Sequence, residues 1–354
     1  MIQCMRKGRS SMKKKHKWTI IAIVVFVIVA IVIAILLKQQ YDRQNAQEFK
    51  EKVQINNENV NAFTNITYSS GIPNSRLDIL TPTELDQDNK LPVIFWLHGG
   101  GFIAGDKQYK NPLLSKFAEQ GYIVVNINYA LAPDYKYPTQ LKQIDRAVQF
   151  IKQNKHELPI DFDQVVFGGD SAGAQLSSQF TAIQTNESLR EDMEFNQQFE
   201  PDQIKAAIFF GGFYDMKTVK ETEFPRIQLF MESYTGKRDW EQQFKYISEM
   251  STINQVTKDY PPTFLSVGDA DPFYSQNIDF YKKLKEKDVP VDKLFYDGSH
   301  NLRHQYQFHM QLPESQQNMK DTLSFLSRNT SASGVERELK PESKNPDGVQ
   351  LNPY

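Results

Sequence analysis

Short apolar runs alternate with amphipathic stretches through the middle of the chain. The runs LPVIFWL (91–97), YIVVNINY (122–129), QVVFGG (164–169), KAAIFFGG (205–212), TFLSVG (263–268) and VDKLFYD (291–297) are rich in β-branched and aromatic residues and read as strands. Between them NPLLSKFAEQG, TQLKQIDRAVQFIKQNK and SQNIDFYKKLKEK place apolar residues three and four apart, the period of a helix with one buried face. Strands alternating with helices imply right-handed crossovers and a mostly parallel central sheet with helices on both faces. One α/β domain over 61–328 accommodates the pattern. In such sheets ligands bind beyond the carboxyl ends of the strands.

A different pattern precedes this domain. The stretch WTIIAIVVFVIVAIVIAILL (18–37) is an uninterrupted apolar run closed by Lys38. About 20 apolar residues at ~1.5 Å rise span a hydrocarbon core of ~30 Å. A secretory signal has a shorter apolar region, about 7–15 residues, ending in small residues, and LLKQQYDRQ offers no such cleavage site. Residues 1–17 contain Arg6, Lys7, Arg9, Lys13, Lys14, Lys15 and Lys17 and no acidic residue, so the positive-inside rule leaves them cytoplasmic. The expected organisation is a basic cytoplasmic segment (1–17), one transmembrane signal anchor (18–37), a polar stalk (38–60), the α/β domain outside the cell, and a disordered polar tail (329–354). The expected location is therefore a cell membrane, crossed once.

Charge and cysteine remove several function classes. The net charge of −2, from 41 basic and 43 acidic residues, gives no footprint for nucleic acid. The only cysteine is Cys4, so the outer domain has no disulfide, no zinc–thiolate site and no cysteine nucleophile.

The remaining chemistry falls at the strand ends. After VIFWL comes His98-Gly99-Gly100-Gly101-Phe102; after VVFG comes Gly169-Asp170-Ser171-Ala172-Gly173. After FLSVG comes Asp269-Ala270-Asp271-Pro272-Phe273, and after KLFYD comes Gly298-Ser299-His300-Asn301-Leu302. A serine hydroxyl is a poor nucleophile until a histidine takes its proton and a carboxylate orients that histidine. A serine between two glycines at a strand-to-helix bend is the layout of a nucleophile elbow. The Ala172 amide, at the helix N-terminus, would then face the oxygen that becomes negative, with Gly100 and Gly101 as further donors.

These motifs, HGGGF (98–102), NYALAP (128–133), GDSAG (169–173), DADPF (269–273) and GSHNL (298–302), resemble the hormone-sensitive-lipase-like esterases of the α/β-hydrolase fold, over roughly residues 77–326. The stretch RLDIL…HGGGFIAGDK also resembles esterases that deacylate polysaccharides. The resemblance implies Ser171 as nucleophile, Asp271 as acid, His300 as general base, and Gly100, Gly101 and Ala172 as oxyanion donors. It favours Asp271 over Asp269 through the following Pro-Phe. His304, one helical turn further on, reads as a surface or supporting residue, Asp170 as a structural hydrogen-bonder, and His98 as a brace for the glycine loop. Two positions depart from the family pattern. Ala130 stands where the family has Arg in YRLAP, and His300-Asn301-Leu302 stands where it has HGF.

Phe102, Phe213, Tyr214 and Phe273 are candidates to line the acyl pocket. The acidic segment 185–203, where a lid would insert, predicts a polar entrance suited to small acyl groups. No metal or organic cofactor is implied. The expected activity is hydrolysis of short-chain carboxylic esters through an acyl-enzyme. Deacetylation of sugars or cell-envelope polymers is the alternative. A non-catalytic, hydrolase-shaped binding protein is disfavoured because nucleophile, acid and base types are all present.

Overall fold

A strand buried on both faces must lie between two helix layers, and the central strands meet that condition. All residues of β3 (Leu91–Leu97) and β4 (Ile123–Ile127) are buried. In a computed structural model, which describes residues 18, 23–36, 55, 57–154 and 157–332, they lie inside an eight-stranded sheet. The other strands are β1 (Val60–Thr67), β2 (Arg76–Pro82), β5 (Ile160–Asp170), β6 (Ile204–Phe210), β7 (Thr263–Val267) and β8 (Val291–Phe295). The order is β1-β2-β4-β3-β5-β6-β7-β8, with β3 to β8 parallel and β1 and β2 antiparallel additions at one edge.

The two-residue period of the strands sorts their side chains into two layers. Val93, Phe95 and Leu97 join Leu141, Leu176, Phe180 and Phe280, from the helices Thr139–Gln153, Ala172–Thr185 and Tyr274–Glu286. Ile94 and Trp96 join Leu114, Phe117, Met319 and Phe325, from the helices Asn111–Glu119 and Pro313–Asn329. Register then aligns the carboxyl ends. Leu97 pairs with Gly169 and Ile127, Asp170 with Phe210, and Phe210 with Ser266. The segments that follow β3, β5, β6, β7 and β8 therefore leave the sheet along one rim.

The structure departs from the sequence reading in three places. The polar stretch before the first expected strand holds β1, whose side chains are mostly exposed, and β2 adds a strand that the alternation of strands and helices did not require. The acidic segment 185–203 lies at the far end of the helix that leaves Ser171, near the amino ends of the strands, so it is not the lid. That position belongs to residues 211–262, between β6 and β7, which contain the helix Ile227–Thr235, with Ile227, Met231, Tyr234 and Thr235 buried. Lastly, the stalk gives way to the domain before residue 60. The Asn57 and Asn59 amides donate to Glu119 at 3.1 and 2.9 Å. At the other end Thr330 meets the Tyr122 hydroxyl at 2.9 Å, so the start of the expected tail is also docked; from 333 on, the tail lies outside the described residues.

Residues 1–54 form a unit separate from 55–354. Within it, residues 23–36 are helical and exposed throughout. Among the described residues no helix is long and apolar enough to cross a membrane. The span expected over 18–37 falls only partly on described residues, and the basic segment 1–17 lies outside them.

Candidate active site

The elbow after β5 is built by close approach. Ser171 has φ 53° and ψ −121°, a conformation that costs a residue with a Cβ about 1–3 kcal/mol and persists only where its surroundings impose it. Here the Ser171 N–H donates to the Phe210 carbonyl at 2.8 Å, and the Ser171 carbonyl accepts from the Gln175 N–H at 3.1 Å. The bracketing glycines let the helix start against the sheet. A methyl group on Gly169 would lie 2.5 Å from the Gly173 carbonyl, and one on Gly173 would lie 2.1 Å from the Leu97 carbonyl oxygen. Both are shorter than any van der Waals contact, so strand and helix can meet this closely only without side chains there.

The histidine at this serine is His304. Its Nε2 is 3.0 Å from Ser171 Oγ, and its Nδ1 is 2.7 Å from Asp271 Oδ2. Asp271 is buried, and its other oxygen accepts the Phe273 N–H at 2.9 Å. With Nδ1–H donated to the carboxylate, Nε2 keeps a lone pair facing the serine hydroxyl. His300, the base expected from the motif, is not brought to the serine. Its ring is exposed, beside Tyr296 and the Ser299 hydroxyl.

Asp269 explains the exchange. Its carboxylate accepts the backbone N–H of His300 at 2.8 Å and of Leu302 at 2.6 Å. Desolvation opposes its charge, but these bonds and the Asn301 N–H hold its carboxyl below the ordinary range. The two acids thus divide the work, Asp269 folding the loop and Asp271 meeting the imidazole. The folded loop carries His300 outward and delivers His304. A sequence signal was present: the His-x-aromatic pattern occurs at His304-Gln305-Tyr306, whereas His300 is followed by Asn301-Leu302. Asp269, Asp297 and His300 also bring ligand atoms within 4.8 Å of one another, but both Asp269 oxygens are engaged by backbone N–H groups.

The glycine loop curls through three successive positive φ angles, at Gly100, Gly101 and Phe102 (125°, 59° and 66°). The Gly100 carbonyl accepts from the Ile103 and Ala104 N–H groups at 3.2 and 3.0 Å, which closes the turn beside the elbow. His98 does brace it. Its Nδ1 is 2.8 Å from the Gly99 carbonyl, its ring stacks on Tyr129, and the Tyr129 hydroxyl donates to the His98 carbonyl at 2.6 Å. Burial pushes the His98 imidazole below its usual pKa, so it is neutral and donates from Nδ1.

The aromatics expected in the pocket separate into different roles. Tyr214 is core: it is fully buried, its ring stacks on Phe280 at 4.0 Å, and its N–H is held by Gln276. Phe102 is also fully buried, stacked on Tyr234 at 3.9 Å. Phe213 packs on Phe273, and Phe273 alone of the four reaches His304, edge-on at 5.4 Å. Two residues that sequence reasoning missed stand closer. Phe224 sits edge-on to His304 at 4.8 Å and stacks on Phe273 at 4.2 Å. The Phe230 ring covers Gly101, where a methyl group would lie 2.7 Å from it. Both come from the β6–β7 insertion and are only part-buried. No motif marks them.

Comparison with known proteins agrees with this layout. Residues 77–284 match the family model described as BD-FAE. A probable carboxylic ester hydrolase, LipM, of Mycobacterium tuberculosis is 30% identical over 197 residues, 55% of this chain and 44% of its own length. An acetyl esterase of Salmonella schwarzengrund is 23% identical over 68% of this chain and 74% of its own. This chain spans about half the length of the first curated relatives it matches, 44% and 49%. Among solved structures, esterase B of Lactobacillus rhamnosis superposes with a TM-score of 0.69 at 22% identity, covering 84% of this chain and 97% of that one, which identifies the fold. The family match ends before His304, so the histidine rests on the geometry alone. With its motifs and matched region in agreement, the chain belongs to the BD-FAE family and has the α/β-hydrolase fold.

Proposed function

We propose that this chain is a serine hydrolase that cleaves short-chain carboxylic esters through an acyl-enzyme on Ser171. The observation that carries the reading is the continuous path from Asp271 through His304 to the Ser171 hydroxyl, with links of 2.7 and 3.0 Å. Oγ attacks the ester carbonyl carbon as Nε2 takes its proton. The carbonyl electrons move onto oxygen, where the amides of Gly100, Gly101 and Ala172 are suited to hold the charge. One such donor is worth on the order of 100- to 1,000-fold in rate. The intermediate collapses, and the leaving alcohol takes the proton from His304. Water, deprotonated by the same nitrogen, then attacks the acyl-enzyme and releases the acid, which restores Ser171.

Phe224 against His304 and Phe230 against Gly101 support a narrow acyl side. In a panel of nitrophenyl esters, kcat/KM is expected to fall steeply beyond about six to eight acyl carbons. Phe230→Ala should raise kcat/KM for a decanoyl ester by about tenfold and leave the acetyl ester within about threefold. Faster hydrolysis of palmitoyl than butyryl esters at equal monomer concentration by the unaltered chain would contradict the assignment. The narrow acyl side also suits acetylated sugars or envelope polymers, the second reading, and acetylated oligosaccharides belong in the same panel.

We also infer that residues 18–37 anchor the chain with the domain outside, from the apolar run and the basic segment before it. The full chain expressed in a bacterial host should stay with membranes through alkaline carbonate extraction, and protease added to protoplasts should degrade the domain. Recovery in the carbonate supernatant, or full protection from protease, would refute the anchor or its orientation.

A further inference from the structure

Three loops must meet before Ser171 can react: the elbow, the glycine loop, and the loop that bears His304. They are distant in sequence, and one buried carboxylate touches all three. Asp170 immediately precedes Ser171 and has no exposed surface. Its Oδ2 accepts the Gly99 N–H at 3.0 Å, next to the oxyanion glycines, and also accepts the side-chain amide of Gln305, the residue after His304. Oδ1 accepts the Trp96 indole N–H at 3.2 Å, and the Lys110 ammonium lies 2.7 Å from Oδ2.

Gln305 occupies an unusual backbone position. Its φ is 61° and ψ 29°, left-handed, which disfavours any residue with a Cβ. In the family pattern HGF a glycine follows the histidine, and glycine adopts this conformation without strain. Here a long polar side chain replaces it, and its amide nitrogen is aimed at the carboxylate beside the nucleophile. The fit is tight: a methyl group on Gly99 would lie 2.5 Å from Asp170 Oδ2 and 2.6 Å from Gln305 Nε2. An unfavourable backbone position kept by a residue whose side chain makes one specific bond indicates that the bond is what the position serves.

We infer that Gln305 is a positioning residue. Its amide ties the His304 loop to Asp170, and so fixes Nε2 relative to Ser171 Oγ and to the glycine loop. This rests on the reading of Ser171, His304 and Asp271 as the reacting groups. Two substitutions separate the tether from the strain. Gln305→Gly removes both, and Gln305→Met keeps the side-chain bulk and the strain but removes the donor. A misplacement of the order of 1 Å costs about 100-fold in rate. With the full chain in detergent and a nitrophenyl acetate substrate, both variants should lose about 10- to 100-fold in kcat with KM within about twofold. The thermal midpoint of Gln305→Gly should equal or exceed that of the unaltered chain, because the left-handed strain is gone. Wild-type kcat in both variants, or a loss of kcat in Gln305→Gly matched by a fall in its thermal midpoint, would overturn the inference. His304→Ala, run in parallel, keeps the two readings apart: if it retains activity the reacting groups themselves are misassigned, whatever the Gln305 variants do.

Discussion

Replacing His304 with alanine is expected to lower kcat for a short-chain ester by on the order of 10⁴- to 10⁶-fold, while His300→Ala stays within about threefold. The two histidines are four residues apart and differ in every relevant contact. His304 holds the serine hydroxyl on one nitrogen and a buried carboxylate on the other. His300 packs its exposed ring beside Tyr296, with Nδ1 3.3 Å from Ser299 Oγ and 3.6 Å from Asp297, and its backbone N–H donates to Asp269. In the proposed mechanism, without an imidazole at 304 nothing would remove the Ser171 proton or protonate the leaving alcohol. Steady-state kinetics on the two single variants, with circular dichroism to confirm folding, provides the check. Equal losses in both, or a loss confined to His300→Ala, would contradict the assignment.

The second large effect is on stability. Lys110→Met should lower the unfolding free energy by about 3–5 kcal/mol, the usual cost of leaving one member of a buried ion pair without the other. The Lys110 and Asp170 side chains are 10% and 0% exposed, so water cannot replace the lost ammonium. The lysine nitrogen also lies 3.9 Å from the centre of the Phe308 ring, a cation–π contact that is lost with it. At about 2–4 °C per kcal/mol for a domain of this size, the thermal midpoint should fall by roughly 6–20 °C. Adding Asp170→Asn to Lys110→Met should recover part of that loss, because the orphaned charge is then gone. A midpoint within about 2 °C of the unaltered chain for Lys110→Met would mean that the pair contributes little.

Much of the site was legible in the sequence because local rules fix it. Short apolar runs rich in β-branched and aromatic residues, alternating with amphipathic stretches, located β3 to β8, and the strand-end rule then placed His98, Ser171 and Asp271 along one rim. The elbow could be read because only glycines permit the approach of Gly173 to Leu97. What escaped depends on contacts distant in sequence. His304 is selected because Asp269 binds the backbone at 300 and 302 and so turns the loop, a contact across more than thirty residues that no spacing encodes. Phe224 and Phe230 reach the site because the insertion folds back over it, and as aromatics in an α/β domain they resemble Tyr214, which is core. β1 was hidden by its exposure: an edge strand with few buried side chains carries little apolar periodicity.

The most direct test of the account is covalent. An alkyl fluorophosphonate offered to the full chain should add once, with the adduct located by tandem mass spectrometry on Ser171. Labelling should proceed at an undiminished rate in His300→Ala, be slowed by orders of magnitude in His304→Ala, and be absent in Ser171→Ala. An adduct on another residue, labelling that survives Ser171→Ala, or a rate that depends on His300 and not on His304 would contradict the proposed serine–histidine–aspartate site.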